Sequence, residues 1–149
     1  MALGADIILA ADHAQFALPE IRSGTVADAA SVKLPKRIPY HIAMEMLLTG
    51  RWIDADEAAR WGMINRIYPA DTLMDEARAL ADHLAGGPPL VYAAIKEIVR
   101  DAEGRDFQTT MNKIARRQYP SVDVLYGSED QKEGARAFAE KRDPVWKGR

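Results

Sequence analysis

The run Gln15-Phe16-Ala17-Leu18-Pro19-Glu20 constrains this chain more than any other. Phe16 and Leu18 stand two apart, the period of a strand that turns one face inward. Pro19 ends that strand, because a proline has no N–H to give to a neighbouring ladder. Glu20 is therefore carried where extended backbone gives way to a loop or a helix start. An acid in that place is held by rigid backbone and can face a cleft, or it can simply complement the dipole of a helix N-terminus. A second acid, Asp28, follows past Gly24.

The chain has 149 residues, long enough for one domain, or most of one, with a sizeable core. Its 48% hydrophobic and 28% charged residues are ordinary for a soluble globular protein. A net charge of −2 provides no overall attraction for nucleic acid. The absence of cysteine excludes disulfides, thiolate metal sites and a cysteine nucleophile, and is compatible with a cytoplasmic setting. The longest apolar run, residues 7–11, falls far short of the ~20 residues that a membrane span requires. No basic region precedes it, as one would in a signal peptide.

Extended stretches come first. Residues 7–10 form a continuous apolar run, as in a strand covered on both faces. Residues 15–18 and 63–68 are two further short strands, the last ended by Pro69. Between them, residues 27–34 predict a short helix, and residues 33–39 a basic, proline-bounded, solvated linker. Residues 40–48 have helical spacing at Ile42, Met46 and Leu47, stopped by Gly50. Asp54 caps a helix through Trp61, with Glu57 completing a capping box.

Helices then take over. They are predicted at 73–85, at 90–100 with Ala94, Ile95, Ile98 and Val99 on one face, at 106–119, and at 128–141 with Ser128 as cap. Gly86-Gly87-Pro88-Pro89 is the clearest hinge. Trp52 and Trp61 read as core anchors, and Trp146 as an aromatic able to stack at a subunit contact. His13, His41 and His83 sit on separate segments and suggest neither a triad nor a metal site. This order points to an α/β fold divided into 1–70, the end of a core, and 71–149, a helical extension that needs something to cover it.

Residues 6–20, from Asp6 to Pro19-Glu20, resemble the segment on which the crotonase (enoyl-CoA hydratase/isomerase) family carries its second catalytic glutamate. Met46-Leu47-Leu48-Thr49-Gly50-Arg51, Ala55-Asp56-Glu57-Ala58 and Trp61-Gly62-Met63-Ile64-Asn65-Arg66 resemble further parts of that family. Residues 138–149 resemble its C-terminus, most closely that of the carnitinyl-CoA dehydratases. The resemblance spans the whole chain but only the second half of such an enzyme. It implies the C-terminal part of a crotonase-like ββα spiral core, followed by a helical extension for trimerisation.

The same resemblance implies reversible addition of water to a 2-enoyl-CoA thioester, with Glu20 as acid/base. Asp28 stands where related dienoyl-CoA isomerases carry a proton-handling aspartate, or it caps the helix that follows. Phe138 and Lys141 match positions that reach the CoA nucleotide of a neighbouring subunit, and a helical spacing of three puts them on one face. The implied partners are an acyl-CoA substrate and further copies of the chain, as a trimer or hexamer. Nucleic acid, membrane, metal and organic cofactors are not implied, the substrate being carried as a coenzyme A thioester. The family's first glutamate aligns immediately before Met1 and its oxyanion donors lie upstream, so the expectation is impaired catalysis. The rivals are a non-catalytic self-associating piece and an enoyl-CoA isomerase using Glu20 and Asp28. Residues 27–31 depart from the family, having no proline or Gly-Gly pair where backbone would approach a ligand closely.

Overall fold

In the computed structural model, which describes residues 2–149, the first strand is shorter than its apolar run. β1 (Leu9–Ala11) buries Ala10, while Ile7 lies outside the strand and is exposed. Among the described residues β1 has one ladder, a parallel one to β4 (Arg66–Tyr68), with Ala10 opposite Ile67. That single partner covers less of the run than a central strand would receive, which is why Ile7 stays in solvent. Asn65 extends the ladder by accepting the Ile8 N–H on Oδ1 at 2.8 Å and giving its own N–H to Ile8 O at 2.8 Å. β2 (Gln15–Phe16) pairs antiparallel with β3 (Ile53–Asp54), Phe16 opposite Ile53.

The chain divides into two compact units, Met1–Leu80 and Ala81–Arg149. In the first, α1 (Asp28–Lys33), α2 (Tyr40–Thr49) and α3 (Ala55–Arg60) fill the connection that a parallel pair requires. Leu34, Met46 and Ile53 are fully buried. Each contributes roughly 1.5–3 kcal/mol by leaving water. Ala43, Ala55 and Ala58 are buried too, small enough for helices to approach closely.

Three readings of this unit are corrected. Residues 33–39 are not a solvated linker: a 3₁₀ turn (Leu34–Lys36) drives Leu34 and Ile38 into the core while the charges stay outside. Asp54 does cap α3, accepting the Glu57 N–H at 2.8 Å. The Glu57 carboxylate, however, does not complete a capping box; it turns to Arg51 at 2.6 and 2.9 Å and to Trp61 Nε1 at 3.2 Å. Trp52 is 54% exposed and anchors nothing, whereas Trp61 packs on the core.

α4 (Leu73–Ala85) runs across the division and buries no residue. The second unit holds α5 (Pro89–Ala102), α6 (Phe107–Ala115), α7 (Pro120–Gly127) and α8 (Glu129–Glu140). The helix expected over 106–119 ends at Ala115, because Arg117 takes a left-handed φ of 51° and Pro120 starts α7, which sequence reading missed. Its core is Ala94, Tyr119 and Val122, flanked by Ile98, Ile114 and Leu125. Ile95 and Val99 do not share the buried face of α5; they are 52% and 55% exposed. Asp101 on α5 ties three elements together, accepting from Lys113 Nζ at 2.7 Å, Tyr119 OH at 2.7 Å and Arg105 Nε at 2.8 Å. These donors hold its carboxyl well below the usual range, the Lys113 ammonium most of all.

The last residues are strapped along α8. Asp130, 2% exposed, accepts the backbone N–H groups of Lys147 and Gly148 at 2.8 Å each. Glu133 receives the Arg142 guanidinium at 2.6 and 3.1 Å and the Val145 N–H at 3.1 Å. Trp146 lies over Gly134 of the same chain, so close that a Cβ there would sit 3.1 Å from the indole.

Candidate active site

Glu20 lies on a 3₁₀ turn, Pro19–Ser23, that begins directly after β2 and Leu18. Pro19 occupies the first position, where its missing N–H costs nothing. Gly24 closes the turn in the left-handed region at φ 70°, a conformation glycine adopts without a Cβ penalty. The Glu20 carbonyl is held by Thr25, whose N–H and Oγ1 both donate to it at 3.2 Å. Beneath the turn, Gly50 ends α2 at φ 59°. A Cβ on Gly50 would stand 2.9 Å from Ile21 Cγ2 and 3.3 Å from Leu18 O, so the turn rests on the bare backbone of Gly50. Glu20 is thus fixed on both sides of its own peptide.

Its side chain is half-buried, and Oε2 is fully buried with no hydrogen-bond partner among the described residues. Buried carboxylate oxygens are normally satisfied, and an orphan is costly. Beside the turn opens a cavity of about 360 Å³ lined by Leu3, Phe16, Leu18, Leu34, Met46 and Met63 among others. Apolar walls of that extent with few polar groups are typical of small-molecule sites. Ala17 and Leu18, which line it, lead into Pro19-Glu20; Ala29 and Ala30, which also line it, follow Asp28.

Asp28 does not cap α1 as one of its two sequence readings expects. It is exposed, and Ala27 rather than Asp28 takes the N-cap position of α1, with no side-chain cap hydrogen bond. Its backbone lies at φ 35°, in the left-handed region that aspartate tolerates better than most residues. Glu20 Oε2 receives no hydrogen bond from it.

Phe138 and Lys141 belong to the second unit. Phe138 is 88% exposed on α8, and beside it a cavity of about 400 Å³ is lined by Leu90, Val91, Leu125 and Trp146. Lys141 is not on the helix. It ends α8 in a left-handed conformation at φ 54°, so the expected spacing of three along one face is broken at its second member.

Sequence reading missed Lys33, the one charged residue among the described residues lining the smaller cavity. The signal was available, since Lys33 lies three and four positions from Ala30 and Ala29, on the same face of α1. It also missed the Arg51 cluster, in which one guanidinium holds Glu57 and, at 3.0 Å, Glu45. That guanidinium is the main reason the Glu57 carboxyl is lowered from 4.5 to about 2. Among the described residues no cluster of histidine and acid side chains has the makings of a metal site.

Over residues 1–149 the sequence matches the enoyl-CoA hydratase/isomerase family. This chain belongs to the enoyl-CoA hydratase/isomerase family. It is 50% identical over 153 residues to carnitinyl-CoA dehydratase of Citrobacter koseri and 48% identical to that of Escherichia coli O157:H7. Both alignments take in 100% of this chain and 58% of the relative, so this family member spans little more than half the length of the curated proteins it matches. Among solved structures it resembles enoyl-CoA hydratase from Mycobacterium tuberculosis H37Rv, with a TM-score of 0.86 and 38% identity over 99% of this chain and 57% of that one. Enoyl-CoA hydratase from Bacillus anthracis gives 0.87 at 29% identity, over 99% and 56%. The α/β architecture, mostly helical with two small sheets, is therefore that of enoyl-CoA hydratase/isomerase family members. No helix among the described residues is long and apolar enough to cross a membrane.

Proposed function

We propose that this chain carries one acid/base carboxylate, Glu20, of an enoyl-CoA hydratase-type lyase that adds water reversibly to a 2-enoyl-CoA thioester. The supporting observation is the Glu20 carboxylate, whose Oε2 is buried and unpartnered on the turn that follows Ala17 and Leu18, two residues of the cavity wall that Glu20 itself does not join. An acceptor left in that condition costs on the order of 1–3 kcal/mol, which a reacting water would offset. In the reaction a water oxygen bonds to the β-carbon, its proton leaves to a base, and a proton is added at the α-carbon. Glu20 serves as one of those proton carriers. The second carrier and the N–H donors for the enolate oxygen would come from the part of the family fold beyond the stretch matched here.

The finer reading takes this stretch as the later part of that fold, on the likeness of residues 6–20 and 138–149. It takes a carnitinyl-CoA dehydratase as the nearest kind of enzyme, on the identity of 50%. Residues 71–149 serve as the oligomerisation extension, and the exposed apolar side chains Ile95, Val99 and Phe107 favour association with further copies, as a trimer or hexamer. Phe138, and Lys141 beyond the helix end, reach the CoA nucleotide of a neighbouring copy. Asp28 is a second proton-handling acid in an isomerase version of the chemistry. The reading needs no metal or organic cofactor beyond the coenzyme A of the substrate, no nucleic acid and no membrane, and it places the protein in the cytoplasm.

The test mixes this chain with the segment of the Citrobacter koseri relative that lies outside the matched stretch, and follows the enoyl absorbance of crotonoyl-CoA. Hydration is expected with the native chain and a loss of roughly 100-fold or more with Glu20→Gln. Flat absorbance with both would leave a non-catalytic self-associating piece as the better account. Loss of the conjugated absorbance without uptake of oxygen from labelled water would mark the isomerase.

A further inference from the structure

Lys33 is half-buried, and among the described residues it is the single charge on a wall otherwise made of alanine, glycine, leucine, methionine and phenylalanine. No carboxylate among the described residues lines that cavity to neutralise it. A cation facing apolar surroundings gains most from an anion that enters with the ligand, because the attraction is less screened there than in water. A quaternary ammonium group is recognised by carboxylates or by an aromatic cage. Among the described residues the cavity wall has one aromatic residue, Phe16, and no acid, so these residues supply neither device. The volume of about 360 Å³ is room for roughly a dozen water-sized groups at about 30 Å³ each, enough for an acyl chain of several carbons and a polar end.

We propose that this cavity receives the acyl end of the thioester, and that Lys33 selects an end bearing a carboxylate over a neutral or trimethylammonium end. The proposal rests on the thioester reading given above and adds the class of acyl group. It keeps the enoyl-CoA hydratase-type reaction and departs from the carnitinyl-CoA dehydratase likeness in the acyl group alone, since a carnitinyl group ends in a trimethylammonium cation.

Three saturated thioesters that cannot turn over separate the possibilities: butyryl-, glutaryl- and 4-(trimethylammonio)butanoyl-CoA. The same acyl groups are also presented on N-acetylcysteamine, which keeps the thioester and discards the nucleotide. Affinities are measured calorimetrically for the native chain, Lys33→Met and Lys33→Glu, each mixed with the Citrobacter koseri segment used above and first checked for an unchanged thermal midpoint. Glutaryl esters are expected to bind the native chain roughly fivefold or more tightly than butyryl esters, and trimethylammonio esters more weakly than either. Lys33→Met should level the series and Lys33→Glu should invert it. A native series without that order, or an order that survives Lys33→Glu, overturns the selection by Lys33. If the N-acetylcysteamine esters rank as expected while the CoA esters do not bind, the Lys33 proposal stands and the CoA reading fails. If no ester of either kind binds, both fail.

Discussion

At the scale of single residues, the burial of one atom matters more than the chemistry of the side chain that bears it. Glu20 was legible because Pro19 fixes where the extended run stops, and a carboxylate one residue beyond that stop has little choice of place. The orphaning of Oε2 was not legible, since it depends on how distant parts of the chain pack around the turn. Lys141 shows the converse. Its number fits a helical face, but its left-handed backbone removes it from the helix, and nothing local in the sequence announces that. Glu57 supplies a test at this scale. With Arg51 beside it, its carboxyl titrates near 2 in the folded chain and near 4.5 in the unfolded one. The folded pKa is the depressed one, so the stabilisation is complete above the unfolded value and is lost as pH falls towards the folded one. In urea titrations Glu57→Gln should therefore be less stable than the native chain at neutral pH. That deficit should shrink steadily on acidification from roughly pH 5 to pH 2. A deficit independent of pH would mean that the ion pair carries no stabilisation.

At the scale of elements, stop and start signals served better than faces. Gly50, Asp54 and Ser128 end or cap their helices where the sequence placed them, because each satisfies backbone groups locally. Faces failed where distant packing decided. Ile95 and Val99 have the same spacing as Ala94 and Ile98, yet only the latter pair meets Tyr119 and Val122. α7 was overlooked because Pro120 looks like the end of a helix when it is the first residue of the next. The joint between α2 and the Glu20 turn yields a prediction for Gly50→Ala. Its Cβ would meet Ile21 and Leu18 at 2.9 and 3.3 Å, and its φ of 59° disfavours any side chain. A loss of about 1–3 kcal/mol is expected in chemical denaturation, together with weakened thioester binding as the turn shifts. An unchanged midpoint would show that the turn does not rest on that backbone.

At the scale of the whole molecule, two units with separate cores imply two cooperative transitions rather than one. Calorimetry of Ile53→Ala should lower one transition, and Val122→Ala the other. If both variants shift a single shared peak, the units unfold as one. The family fold was legible at this scale because its motifs are spread from residue 6 to residue 149, whereas the division between Leu80 and Ala81 falls inside an unbroken helix that no glycine or proline marks. The strap along α8 has a practical consequence. Trp146 is held over Gly134 by contacts that Asp130 and Glu133 make to its neighbours, so peeling the strap would bare an indole to water. With Trp52 and Trp61 changed to phenylalanine, its emission would become a label-free gauge of whether the end of the chain is docked or released.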